Sequence, residues 1–170
     1  MTQEITWSLP GDLLETSIEV MRPHGRIGNE GLALWLGKTD GNLARVTHLV
    51  SLSGDGFRTS PLQLRLSWNA MSKLTELADK IDAYLVGQIH SHPGNFIDLS
   101  EVDQVYGIRC QDYLSVVCPN YAQRAIEGIY ECGVHIFDQG NYRRLPAREV
   151  SHRIKASKET VTRVELEVQA

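Results

Sequence analysis

The sequence predicts an α+β fold, an α/β sandwich in which a mixed β-sheet is flanked by helices. Three observations predict it: strand-type apolar runs recur from residue 31 to residue 145, two amphipathic stretches of helical period interrupt them, and a cap announces a short third helix. Leu13, Leu14, Ile18 and Met21 recur at helical spacing behind the breaker Pro10-Gly11, with Asp12 as the expected N-cap and Pro23 and Gly25 as the expected stop. Residues 31–37 (GLALWLG) are continuously apolar and too short for a helix, so they read as a buried strand. Residues 45–52 and 62–66 are also strand-like, the latter by strict alternation, with Gly54-Asp55-Gly56 as punctuation. The period then changes, and Ala70, Leu74, Leu77, Ala78, Ile81 and Tyr84 form one helical stripe over 69–84. Residues 84–90 return to strand, and Ser100 opens a short helix to Gly107 with Asp103 at its third position. Residues 114–118, 128–137 and 141–145 read as strands, the last two joined by Asp138-Gln139-Gly140. In the charged tail Val164, Leu166 and Val168 alternate with Arg163, Glu165 and Glu167. The expected organisation is one domain over 1–146 and a charged extension or edge strand over 147–170.

Composition narrows the function classes. A chain of 170 residues is the length of one domain, and 42% hydrophobic with 22% charged residues is a globular profile. Seventeen Lys and Arg against 21 Asp and Glu leave a net charge of −4, which argues against a nucleic-acid backbone or an anionic membrane as partner. Cys110, Cys118 and Cys132 are an odd number without CxxC spacing, and no base stands at a readable distance to make one a nucleophile. Neither a signal peptide nor an apolar run of the roughly 18 residues a membrane helix needs is present, so the expected location is cytoplasmic.

The chemistry concentrates in residues 88–103. On a strand His90 and His92 project to the same face, because side chains alternate with period two. Pro93 and Gly94 end the strand, and Asp103, one turn into the next helix, can swing back toward both imidazoles. Two His and one carboxylate leave the open fourth position of a catalytic zinc, and the same donor types also suit non-haem iron. A metallo-β-lactamase-type pattern needs an Asp where Gly94 stands, His135 and His152 have no matching spacing, and a TIM-barrel hydrolase needs about 250 residues.

His90-Ser91-His92-Pro93, six residues, Ser100, two residues and Asp103 resemble the HxHPx(6)SxxD signature of JAMM metallopeptidases, the catalytic members of the JAB1/MPN/Mov34 group, at every fixed position. Upstream, residues 30–37 are similar to that family's ExxGxLxG segment, with Glu30 and Gly37 in place and Ala33 substituting for the first glycine. The resemblance covers nearly the whole chain and implies a curved mixed sheet of JAB/MPN type, cytidine-deaminase-like in architecture. It implies one Zn²⁺ per chain on His90, His92 and Asp103, with Glu30 as general acid and base and Ser100 as donor to the oxyanion. Asp98 and Glu101 are expected in solvent, and Ser91 on the opposite face of its strand.

Members with an intact metal set cleave isopeptide or peptide bonds after the C-terminal glycine of ubiquitin or ubiquitin-like proteins. The resemblance therefore implies such a protein and its conjugates as partners, and Phe57, Phe96 and Trp68 are candidates for an apolar docking patch. The compact chain is similar to small stand-alone prokaryotic members, some encoded beside E1- and E2-like enzymes in antiphage operons. Two alternatives stay open: a peptidase of sulfur-carrier adducts, which also end in Gly-Gly, and a non-catalytic module that binds a ubiquitin-like protein.

Overall fold

The computed structural model describes residues 3–170, and among them nine strands form one mixed sheet. β1 (Thr6–Pro10) leads into α1 (Leu13–Arg26), followed by β2 (Leu32–Asp40) and β3 (Leu43–Ser53). A separate two-stranded ribbon, β4 (Phe57–Thr59) and β5 (Leu64–Leu66), precedes α2 (Trp68–Lys80). The chain continues through β6 (Tyr84–Ser91), α3 (Glu101–Tyr106), β7 (Leu114–Cys118), β8 (Gly133–Asp138) and β9 (Asn141–Arg144). Residues beyond 146 form α4 (Ala147–Arg153), β10 (Ile154–Ser157) and β11 (Thr162–Glu167). The main sheet runs β10-β1-β3-β2-β6-β7-β8-β9, and β11 also pairs with β3. One edge of the long β3 faces β2, while the other is divided between β1 along residues 43–45 and β11 along 48–53.

Burial on both faces explains the continuous apolar run in β2. Ala33 and Trp35 face a cluster with Trp7, Leu13, Met21 and Ile89, to which α1 contributes. Leu32, Leu34 and Leu36 face a second cluster, with Val50, Leu52 and Val168, which α2 closes through Ala70, Leu74 and Ala78. The Trp35 indole donates to Ser17 Oγ at 3.1 Å, so its polar edge is satisfied within the core. Register shifts in β2 at Leu36/Gly37 against β3 and at Trp35/Leu36 against β6 add twist to the sheet centre.

The α+β class is as the sequence predicts, with differences in the elements. α1 continues past Pro23 to Arg26, because the carbonyls of His24 and Gly25 receive the amides of Ile27, Gly28 and Asn29. Asp12 makes no side-chain cap on α1; its Oδ1 instead accepts the Val161 amide at 2.9 Å. The expected strand over 128–137 begins only at Gly133, after a single 3₁₀ turn over Ile129–Glu131. Among the described residues no helix is long and apolar enough to cross a membrane.

Candidate metal centre

β6 lies between β2 and β7, with His90 in register with Leu32 and Val117. Ile89 faces the α1 side, so alternation turns His90 to the side of Leu32. The ladder runs one residue beyond β6, where the His92 amide donates to the Cys118 carbonyl at 2.9 Å, and His92 shares the face of His90. Ser91 points the other way, and its Oγ accepts the Gly31 amide at 2.8 Å.

Asp103 is aimed back at this face by a capping box. The Asp103 amide donates to Ser100 Oγ at 3.1 Å, and the Ser100 amide donates to Asp103 Oδ2 at 2.8 Å. The loop between is seated on β8, since a Cβ at Gly133 would lie 1.7 Å from the Ile97 carbonyl oxygen. Asp98 Oδ1 meets the Arg144 guanidinium at 2.5 Å and is exposed, as is Glu101.

Three donor atoms converge. His90 Nε2 and His92 Nε2 are 3.1 Å apart, and Asp103 Oδ2 stands 3.1 Å from His92 Nε2 and 3.4 Å from His90 Nε2. A tetrahedral site with ligand bonds of about 2.0 Å has edges of about 3.3 Å, so these three atoms have the size of one face of a zinc tetrahedron. His92 Nδ1 lies 3.2 Å from the Phe96 carbonyl, a partner that keeps the proton on Nδ1 and frees Nε2 as a ligand. The Phe96 ring stacks on the His92 ring at 5.4 Å between centroids. The residues present fit a small divalent cation.

Glu30, 3% exposed, stands at the mouth of β2 with its amide on the Ser60 carbonyl at 3.0 Å. Its Oε1 is 3.7 Å from His92 Nε2, and its Oε2 is buried without a partner among the described residues. Desolvation raises its pKa to about 7, with the Asp103 charge adding to the rise and His92 opposing it. Burial opposes ionisation of Asp103 too, yet hydrogen bonds from His90 and His92 hold that carboxyl well below the usual range. Burial also works against a charged His92, but the Asp103 hydrogen bond and the charges of Asp103 and Glu30 outweigh it and raise its pKa.

A groove of about 820 Å³ leads away from His90 and Asp103. One wall is β5 with Trp68 and Met71, the other is α3 with Val105 and Tyr106, and Gln88, Ser115 and Tyr142 form the floor. Of the candidates for an apolar patch, Trp68 is exposed on this groove and Phe96 is exposed beside His92. Phe57 is buried against His24 and presents no surface, because it closes the α2 core. Sequence reasoning missed the Phe96 carbonyl, Tyr106 and Tyr142, which come to the site by loop path and sheet register and carry no spacing signal.

No family model matches the chain. Among curated proteins, the probable metalloprotease y4jG of Sinorhizobium fredii is 26% identical over 151 residues, covering 88% of this chain and 93% of the relative. Among solved structures, protein DSY2949 from Desulfitobacterium hafniense superposes with a TM-score of 0.63 at 18% identity, over 90% of this chain and 94% of that one, and shares the fold. A JAB1/MPN domain protein from Archaeoglobus fulgidus, AF2198, gives a TM-score of 0.46 at 12% identity over 91% and 98% of the two chains.

Proposed function

We propose that this chain, a protein of the JAMM/MPN type, is a zinc-dependent peptidase that hydrolyses the amide bond after the C-terminal glycine of a ubiquitin-like protein. The observation that carries the reading is a tetrahedral face of donors, His90, His92 and Asp103, with a buried, half-satisfied carboxylate beside it. A buried acid without a partner is costly, and a site that uses it explains why Glu30 is there.

Zinc held by these residues supplies a Lewis acid that polarises a carbonyl and acidifies water. Glu30 takes the proton from the attacking water as the oxygen joins the amide carbon, and delivers it to the leaving amine as the carbon–nitrogen bond breaks. Its pKa near 7 suits both transfers at neutral pH. Ser100 Oγ accepts the Asp103 amide, which leaves its own proton free to donate to the developing oxyanion. The capping role and the chemical role of this hydroxyl are therefore compatible.

The groove supports an extended substrate segment. Among the described residues β5 pairs only with β4, so its other edge faces the groove with backbone groups that a strand can join. Glycine at the end of such a strand passes between Leu32 and α3 without a side chain to place.

The test is a metal-defined assay. The purified chain is expected to hold about one zinc per chain and to release aminocoumarin from a ubiquitin-like domain ending in Gly-Gly-aminocoumarin. Chelation abolishes the release, and cleavage by a metal-free preparation contradicts the mechanism. A sulfur-carrier fusion run in parallel identifies which Gly-Gly protein is preferred, and binding without release identifies a recognition module.

A further inference from the structure

Beyond β7 the chain passes through a turn of unusual hand. Asn120, Tyr121 and Ala122 have φ of 57°, 50° and 57° in succession. Asparagine tolerates the left-handed region, but tyrosine and alanine crowd their Cβ against the next carbonyl there, and runs of such residues are rarely kept without compensating contacts.

Those contacts join the two halves of the site. The Asn120 amide donates to the Gly94 carbonyl at 2.7 Å and the Tyr121 amide to the His92 carbonyl at 2.8 Å, so the turn holds the loop that carries His92. The Tyr121 hydroxyl donates to the Pro61 carbonyl at 2.9 Å, and the adjacent Ser60 carbonyl receives the Glu30 amide. The end of α1 closes over the turn: a Cβ at Gly25 would lie 2.0 Å from the Tyr121 carbonyl oxygen, and the Gln123 side-chain Nε2 donates to the Arg22 and Tyr121 carbonyls at 3.0 Å.

We infer that Tyr121 is a positioning residue, whose amide fixes His92 and whose hydroxyl fixes the Ser60-Pro61 segment behind Glu30, so that one residue sets the placement of Glu30 against the metal ligands. The inference rests on the reading of Glu30 as the proton carrier. Tyr121 itself moves no proton and touches no reacting atom; it acts through the backbone on either side of the gap that separates Glu30 from His92. The left-handed turn is what brings its amide and its hydroxyl to bear on two different segments at once.

The experiment is a double-mutant cycle on the full-length chain with Co²⁺ as the probe, its affinity and visible absorption spectrum being read without any substrate. Wild type, Tyr121→Phe, Glu30→Gln and the double variant are compared. Tyr121→Phe removes one oxygen and keeps the ring, so its circular dichroism is expected to match wild type. If Tyr121 places Glu30, the change in Co²⁺ affinity caused by Glu30→Gln shrinks by about fivefold in the Phe background, a coupling of the size found for contacting networks. A cycle without coupling, including one in which Glu30→Gln has no effect in either background, overturns the inference whatever happens to the melting temperature. With the Gly-Gly-aminocoumarin probe, Tyr121→Phe is expected to lower kcat and leave KM unchanged. Failure of the wild type to cleave that probe counts against the peptidase reading, and the Co²⁺ cycle still decides the role of Tyr121.

Discussion

Glu30 shows how a residue becomes functional through its setting. An aspartate or glutamate at a loop-to-strand junction is ordinarily solvated, but β2 is buried from its first residue, and Glu30 is carried inside with it. Desolvation then raises its pKa to about 7, where a carboxylate is a useful base. Glu30→Gln keeps the shape and leaves the three donor residues intact, so zinc content is expected to be unchanged while turnover falls by roughly 10²–10⁴-fold, the usual worth of a positioned general base. The sign of the pH effect follows from the same role. A base works ionised, so kcat/KM falls as pH drops through the Glu30 pKa, and a bound cation lowers that pKa further, placing the acid limb at or below about 7. In Glu30→Gln that limb is expected to vanish from the residual rate. At this scale the sequence was most legible: His90 and His92 are read from a period of two, and Asp103 from its distance to a cap. Phe96 was legible only as an aromatic, since its carbonyl reaches His92 through a loop path that no spacing encodes.

The elements were legible where they are local and obscure where they depend on distant partners. The capping box of α3 is a four-residue pattern, Ser100 to Asp103, and it holds in the fold because both of its bonds are made within the segment itself. Proline stops a helix in isolation, yet α1 runs through Pro23 to a last turn whose His24 and Gly25 carbonyls are taken up by the following amides and on which the Asn120–Ala122 turn packs. Asp12 looks like a cap until Val161, just ahead of β11 and 149 residues away, takes its carboxylate. The two roles of Ser100 separate experimentally. Ser100→Gly is expected to cost only a few tenths of a kcal/mol as an N-cap, while loss of an oxyanion donor lowers kcat by about 10²–10³-fold; a fall in melting temperature without loss of turnover contradicts the chemical role. β8 carries its own titration. Burial lowers the His135 pKa to about 4 from 6.5, so below pH 6.5 the unfolded chain binds the proton first and stability drops until about pH 4. The loss is of order 3 kcal/mol by the rule of about 1.4 kcal/mol per pKa unit, and His135→Asn, measured by urea unfolding, is expected to flatten that window.

Across the whole molecule the site gathers parts that are far apart in the chain. Glu30 enters from ahead of β2, the imidazoles from the end of β6 and Asp103 from α3, and the long-range sheet order β3-β2-β6-β7 holds them together. That order was not readable in the sequence, because the pairing of β1, β10 and β11 in parallel with distant strands leaves only short alternations behind. The groove was equally hidden, being the gap between β5 and α3 rather than a property of either. A cation bound where β6 and α3 meet is lost when the chain unfolds, so it stabilises the whole fold by mass action. At a free zinc concentration of about a thousand times Kd the gain is about 4 kcal/mol. A domain of this size shifts its midpoint by about 2–4 °C per kcal/mol, so chelation is expected to lower Tm by about 8–16 °C. Glu30→Gln should keep most of the chelator shift, since the three donors stay in place and only the neighbouring carboxylate charge is lost, whereas His92→Ala should melt near the chelated wild type and hardly respond. Equal chelator shifts in wild type and His92→Ala contradict the ligand assignment, and loss of the shift in Glu30→Gln makes Glu30 a ligand rather than the base.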